Sequence, residues 1–175
     1  LLMAMAVVRG IQSVTGLEAG IKWPNDVVIN KKKTTGILTE MGMSEGKISY
    51  VVVGIGINLN MESFPEELAY KATSLKIECG HEINRDEIAA ALLFYFEQYY
   101  EKFEQTHNLG FLIEEYNNHL VNRGKEVLIK EKDGEYTGIS RGINDKGELL
   151  VEKKDGNCVE IFSGEVSVRG LYGYV

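Results

Sequence analysis

At 175 residues the chain is long enough to bury a core, as one domain or as one domain with a small module. Its hydrophobic fraction of 44% is spread over short runs, which excludes a membrane helix of about 20 apolar residues. With 26 acidic against 19 basic residues the net charge is −7, so a nucleic-acid backbone is not an expected partner of this segment.

The chain opens on Leu1-Leu2-Met3-Ala4-Met5-Ala6-Val7-Val8, then Arg9 and Gln12 at helical spacing. No cationic stretch precedes the apolar run, as it would in a signal peptide, and no capping residue starts it. The expectation is a buried helix over 1–14 in a chain that begins inside an element of a longer protein. Residues 18–60 change to three or four strands of a meander, punctuated by the turn compositions Asn30-Lys31-Lys32 and Ser44-Glu45-Gly46. Residues 62–82 have no period and are expected to form loop with short helical turns. Asn84 followed by Glu87 has the form of a capping box, and Ile88, Leu92, Phe96, Tyr99 and Phe103 recur three and four apart, which predicts one long amphipathic helix. A second helix is expected over 109–121, with Leu112, Tyr116 and Leu120 on one face.

From Lys125 onward five short strands are expected, at 126–131, 136–143, 149–153, 158–161 and 166–169. The joints Asp133-Gly134, Asp145-Lys146-Gly147, Asp155-Gly156 and Ser163-Gly164 suit tight turns, and the spacing suggests a small SH3-like barrel. Cys79 and Cys158 have no partner at metal or redox spacing, so both are expected to be reduced, packed thiols in a cytoplasmic protein. His81, His107 and His119 are scattered, and no metal held by protein ligands alone is expected.

Three stretches carry candidate chemistry. Lys22-Trp23-Pro24-Asn25-Asp26 places a cation, an amide and a carboxylate beside a strand-breaking proline. Taken alone it could be a turn with a surface salt bridge. In residues 50–60, alternation puts Val51, Val53, Ile55 and Ile57 on one face and Val52, Gly54, Gly56 and Asn58 on the other. Two glycines on one strand face pack nothing, so either a ligand lies there or the sheet is crossed or bulged closely. Between them, Lys31-Lys32-Lys33-Thr34-Thr35-Gly36-Ile37-Leu38 is a cationic hairpin returning into a strand, which is either a solvated turn or a place where phosphate charge is neutralised.

In combination, KWPND, then KxxGIL, then GxGIN resemble the biotin protein ligases, and the terminal Ser163-Gly164-Glu165-Val166-Ser167-Val168-Arg169 resembles the end of that family's C-terminal module. The resemblance covers nearly the whole chain. It implies an α+β fold: a class II aminoacyl-tRNA synthetase-like mixed sheet packed by helices over 1–122, then an SH3-like barrel over 123–175. It also implies that biotin is activated with ATP and Mg²⁺ as biotinyl-5'-AMP and passed to a lysine of a biotin carboxyl carrier protein. By the same resemblance Lys33 contacts biotin and the α-phosphate, Asn25 lies near the nucleotide phosphates or metal, and Asp26 lies near the incoming lysine. Lys22 would hold Asp26 or a phosphate. Gly36, Gly54 and Gly56 would floor the biotin site with Asn58 beside them, and Arg169, braced by Glu165, would reach the triphosphate. Lys31 and Lys32 are expected to be solvated and Trp23 to be packed.

The family's GRGRxxR-type biotin loop, which lies upstream, is absent from this sequence, so binding of biotin by these residues alone is not an expectation. A DNA-binding role would require a further N-terminal domain. Lipoate ligases share the chemistry, but KWPND followed by GIGIN argues against them. A third alternative is a non-catalytic dimerisation or repressor core, for which the strand at 50–58 would serve as a pairing edge between subunits.

Overall fold

The structure, a computed structural model, describes residues 1–131, 134–162 and 167–170, the side chains of 131 and 167–170 excepted. The first helix, α1 (Leu2–Thr15), buries Met3 to Val8, Gly10 and Ile11. It stops at Gly16, whose φ of 72° lets its N–H reach the Gln12 carbonyl. α1 packs against a long helix, α4 (Arg85–Thr106), started by Asn84, whose side chain accepts from the Asp86 N–H. Gly10 sets their spacing, since a methyl there would lie 3.2 Å from the Leu92 backbone nitrogen. Glu115 ties the helices together by accepting from Arg9 Nε at 2.7 Å and from the Tyr99 hydroxyl at 2.8 Å. Burial and that carboxylate push the Tyr99 phenol up to about 12.

Four strands follow α1 and pair in chain order: β1 (Gly20–Lys22), β2 (Asp26–Ile29), β3 (Lys32–Ser44) and β4 (Lys47–Ile57). Asn30 and Lys31 sit at φ 49° and 65°, the left-handed pair that a two-residue hairpin turn requires. The sheet expected to be mixed is antiparallel in all its ladders, because each joint is too short for a crossover. Parallel pairing occurs at two isolated bridges, Ile21 with Leu120 and Lys33 with Ala72. The aperiodic segment 62–82 holds α2 (Glu66–Ala69) and α3 (Leu75–Cys79). The second expected helix is shorter than its apolar spacing predicts: a 3-10 turn at Gly110–Leu112 leads into α5 (Ile113–His119).

The remaining strands, β5 (Glu126–Glu131), β6 (Gly134–Ile143), β7 (Leu149–Lys153), β8 (Cys158–Ile161) and β9 (Ser167–Gly170), form an antiparallel sheet in the order β8-β7-β6-β5-β9. The chain is thus α+β with two antiparallel sheets. One core runs through both: Val127, Ile129, Leu149 and Val151 join α1, α4 and the first sheet in a continuous apolar cluster. Polar bonds span the junction, where Asn117 Oδ1 accepts from the Ile143 N–H and the Leu109 N–H donates to the Asp145 carbonyl. Both cysteines are free. Cys79 is half-buried and its thiol is pushed up by burial, whereas Cys158, expected to be packed, is exposed on β8. Among the described residues no helix is long and apolar enough to cross a membrane.

Candidate functional site

The register of the first sheet sets Lys22 opposite Asp26, Asp26 opposite Gly36 and Gly36 opposite Gly56. Directly opposed residues share a face, so one row across all four strands reads Lys, Asp, Gly, Gly. The next row sets Leu38 opposite Gly54.

Lys33 does not belong on this face by simple alternation, being three positions from Gly36. A β-bulge puts it there. Val27 pairs with Thr35, but Val28 pairs with Lys33, so Thr34 is the extra residue and the side chains before it change faces. Lys33 Nζ then meets Asp26 Oδ1 at 2.5 Å, with the lysine side chain 39% exposed and the carboxylate 13% exposed. Gly36 makes room for this crossing, since a methyl there would lie 3.1 Å from Lys33 Cε and Nζ.

The turn before Asp26 is locked from two sides. Asn25 accepts from the Ile37 N–H and returns its side-chain N–H to the Ile37 carbonyl, both at 2.9 Å. The Trp23–Pro24 peptide is cis. Trp23, 2% exposed, is packed as expected and also donates its indole N–H to the Gly147 carbonyl of the second sheet's β6–β7 turn at 3.1 Å.

The glycines of β4 have no internal reason to be small. A methyl at Gly54 or Gly56 would meet nothing nearer than a neighbouring strand's carbonyl at 3.8 and 3.9 Å, which is ordinary contact. Neither glycine lies in the bulged part of the ladder or at positive φ, so the close-crossing explanation fails and the bare face remains. Val53, Ile55 and Ile57 lean on the core as alternation predicts, but Val51 is 53% exposed because the ribbon has left the body by that point.

Asn58 follows directly, and its side chain donates to the Thr73 carbonyl at 3.1 Å. Lys31 is exposed, whereas Lys32, expected to be solvated, donates to the Ala69 carbonyl. Arg169 lies in β9 opposite Leu128, while its side chain and Glu165 fall outside the described residues. Among the described residues no group of three His, Cys, Asp or Glu side chains is placed to hold a metal. The bulge at Thr34 and the hydrogen bonds of Thr73 escape sequence reasoning; no period marks the segment carrying Thr73, and no composition signal marks the bulge.

The face therefore offers an ammonium, a part-buried carboxylate and a floor of three glycines, Gly36, Gly54 and Gly56, bordered by exposed Leu38. Residues 1–58 match the Biotin/lipoate A/B protein ligase family, and residues 124–169 match the Biotin protein ligase C terminal domain. The chain is 38% identical over 170 residues to the bifunctional ligase/repressor BirA of Bacillus spizizenii, covering 96% of this chain and 52% of that protein. It is 28% identical to the biotin--[acetyl-CoA-carboxylase] ligase of Paracoccus denitrificans, covering 93% of this chain and 70% of that one. A solved biotin protein ligase from Aquifex aeolicus, in complex with biotin and ATP, aligns with a TM-score of 0.85 at 31% identity, over 97% of this chain and 69% of that one. The chain spans about half the length of the Bacillus relative.

Proposed function

Since this chain belongs to the biotin protein ligase family, we propose that its bare sheet face serves ATP-dependent activation of biotin and transfer of the biotinyl group to a lysine of a biotin carboxyl carrier protein. The observation that carries the proposal is the bulge that sets Lys33 beside Asp26 over the glycine floor. In the first step a carboxylate oxygen of biotin attacks the α-phosphorus of ATP and pyrophosphate leaves. Two anions must be brought together and a crowded phosphoryl group stabilised, which a fixed ammonium does electrostatically. Lys33 is that group, and Lys22 adds positive charge at the far end of the same row. In the second step the carrier amine attacks the acyl carbonyl and AMP leaves. The amine must lose a proton, and Asp26 is the carboxylate placed to take it. Asn25 holds the turn that presents Asp26. Gly36, Gly54 and Gly56 receive the biotin rings, Asn58 borders them, and Arg169 is assigned to the triphosphate by the family resemblance alone.

Magnesium enters with ATP. Among the described residues no group of three His, Cys, Asp or Glu side chains would cage it, so the ATP phosphates would supply its main ligands and it would add charge neutralisation there. The proposed organisation is a synthetase-like catalytic part over 1–122 and an SH3-like module over 123–175, the family matches at 1–58 and 124–169 supporting that division. The free edge of β4 among the described residues supports pairing with a second copy, and the ATP requirement supports a cytoplasmic setting.

The test is biotin-dependent ATP–pyrophosphate exchange in the longest coding sequence that contains this chain. Wild type should exchange with biotin and not with lipoate, and Lys33→Ala should fall at least about tenfold, or about 1.4 kcal/mol of transition-state stabilisation. A folded protein that exchanges with neither acid would replace this reading with the non-catalytic core, and exchange with lipoate alone would replace it with a lipoate ligase.

A further inference from the structure

Lys33 is held by more than its own hairpin. Its N–H donates to the Lys71 carbonyl at 2.8 Å and its carbonyl accepts from the Thr73 N–H at 2.9 Å, so Ala72 lies beside it in a one-residue parallel bridge. Thr73 is 1% exposed and every polar group it has is engaged. Its N–H is on Lys33, its carbonyl accepts from Asn58 Nδ2 at 3.1 Å, and its hydroxyl donates to Glu78 Oε1 at 2.5 Å. The other Glu78 oxygen accepts from Asn30 Nδ2 at 2.6 Å, within the left-handed turn that precedes Lys33. Asn58 closes the ring from the other side: its N–H donates to the carbonyl of Thr34, the bulge residue, and its own carbonyl accepts from the Leu75 N–H.

Residues 30, 58 and 78 therefore converge through Thr73 on the backbone of the residue whose side chain leaves this strap and enters the site. The bulge chooses the face on which Lys33 lies, but a bulge is also the place where a strand bends most readily. Without the strap the backbone groups of Lys33 itself would lose both of these hydrogen bonds, leaving the β2 ladder on one side and the Thr34–Asn58 bond beyond the bulge.

We propose that Thr73 is a positioning residue for Lys33, with Glu78 and Asn58 as its supports. This rests on the reading of Lys33 as the phosphate-contacting lysine. The strap holds the Lys33 backbone so that its ammonium stays over Gly36, and a displacement of about 1 Å at such a group costs on the order of a hundredfold in rate.

Pyrophosphate exchange with biotin, measured in the longest available chain, tests the proposal. Thr73→Val keeps the shape and both backbone bonds but removes the hydroxyl; Thr73→Ser restores it. Thr73→Val should lower kcat about tenfold while the KM values for biotin and ATP change less than about threefold, the pattern of an interaction felt in the transition state. Thr73→Ser should recover wild-type kcat to within about twofold, and Glu78→Gln, which leaves one amide oxygen for the two donors Thr73 and Asn30, should lose about threefold by the same pattern. In a Lys33→Ala background Thr73→Val should cost nothing further, because the two act as one unit.

A Thr73→Val kcat within about twofold of wild type, a Thr73→Ser variant as impaired as Thr73→Val, or an equal loss in the Lys33→Ala background overturns the proposal. If Thr73→Val fails to fold, Glu78→Gln decides, and an unchanged kcat there overturns it as well. Absence of exchange in wild type would overturn the ligase reading and this proposal together; exchange in wild type with an indifferent Thr73 overturns this proposal alone.

Discussion

The two halves of the β3–β4 hairpin share one antiparallel ladder and have opposite surroundings. In the near half, residues 32–37 of β3 and 53–57 of β4, Ile37 is buried and Val53, Ile55 and Ile57 rest on the core, while the other face carries Gly36, Gly54 and Gly56. In the far half, residues 38–52, Leu38, Met41, Met43, Ile48, Tyr50, Val51 and Val52 are each more than half exposed. The apolar half is the exposed one, and the half with lysine and glycine is the one built into the body. Backbone pairing does not separate the two; what does is whether one face rests on the apolar core. Hydrophobicity along a strand therefore signals core only where something lies opposite.

Adjacent residues on opposite faces give the sharpest test of that contrast. Ile37→Ala should cost about 2–5 kcal/mol in denaturant unfolding, whereas Leu38→Ala should cost less than about 0.5 kcal/mol. Equal losses would mean that the far half is covered in solution. The near half is also anchored, through the turn before Asp26, to the second sheet. Trp23→Phe keeps a packed ring but strands the Gly147 carbonyl, and should cost about 1–3 kcal/mol. A smaller effect of opposite sign is expected on the bare face. Gly54→Ala should raise stability by about 0.5–1 kcal/mol, because alanine loses less chain entropy and its methyl meets no clash, while the KM for biotin rises about tenfold. A stabilised variant with unchanged KM would remove Gly54 from the ligand floor.

The last effect, confined to alkaline pH, lies outside the hairpin and serves as its control. Tyr99 is raised from 10.0 to about 12, so the folded state retains a proton that the unfolded chain loses. Its contribution is full below pH 10 and is lost as pH rises through about 12, and Tyr99→Phe should flatten the stability profile over that window. A hairpin variant such as Leu38→Ala should leave that profile unchanged.

Much of this architecture was legible beforehand because its signals are local. The Asn84 cap and the three-and-four spacing from Ile88 to Phe103 carry α4, and the Asn30-Lys31 turn and the joints at Gly147 and Gly156 carry the hairpins, while the Ser163-Gly164 joint lies outside the described residues. Local turn chemistry and periodicity depend only on near neighbours along the chain, so the residues state them directly. The candidate residues were legible as types for the same reason: a carboxylate at a proline break and two glycines on one strand face are visible anomalies.

What brought them together was not local. Alternation alone leaves Lys33 on the wrong face, and only the register against Val27 and Val28 reveals the extra residue at Thr34. Val51 reads as core until the absence of a covering layer is seen, and Cys158 reads as packed until β8 is placed with that side chain exposed. Trp23 reads as simple packing until a turn 124 positions away supplies its acceptor. The residues of the 62–82 segment announce nothing, yet Thr73 and Glu78 close around Lys33. Spacing along the chain carries the periodicities of helix and strand, but ladder register, coverage of a face and long-range hydrogen bonds are relations between segments, and they exist only once the chain has folded.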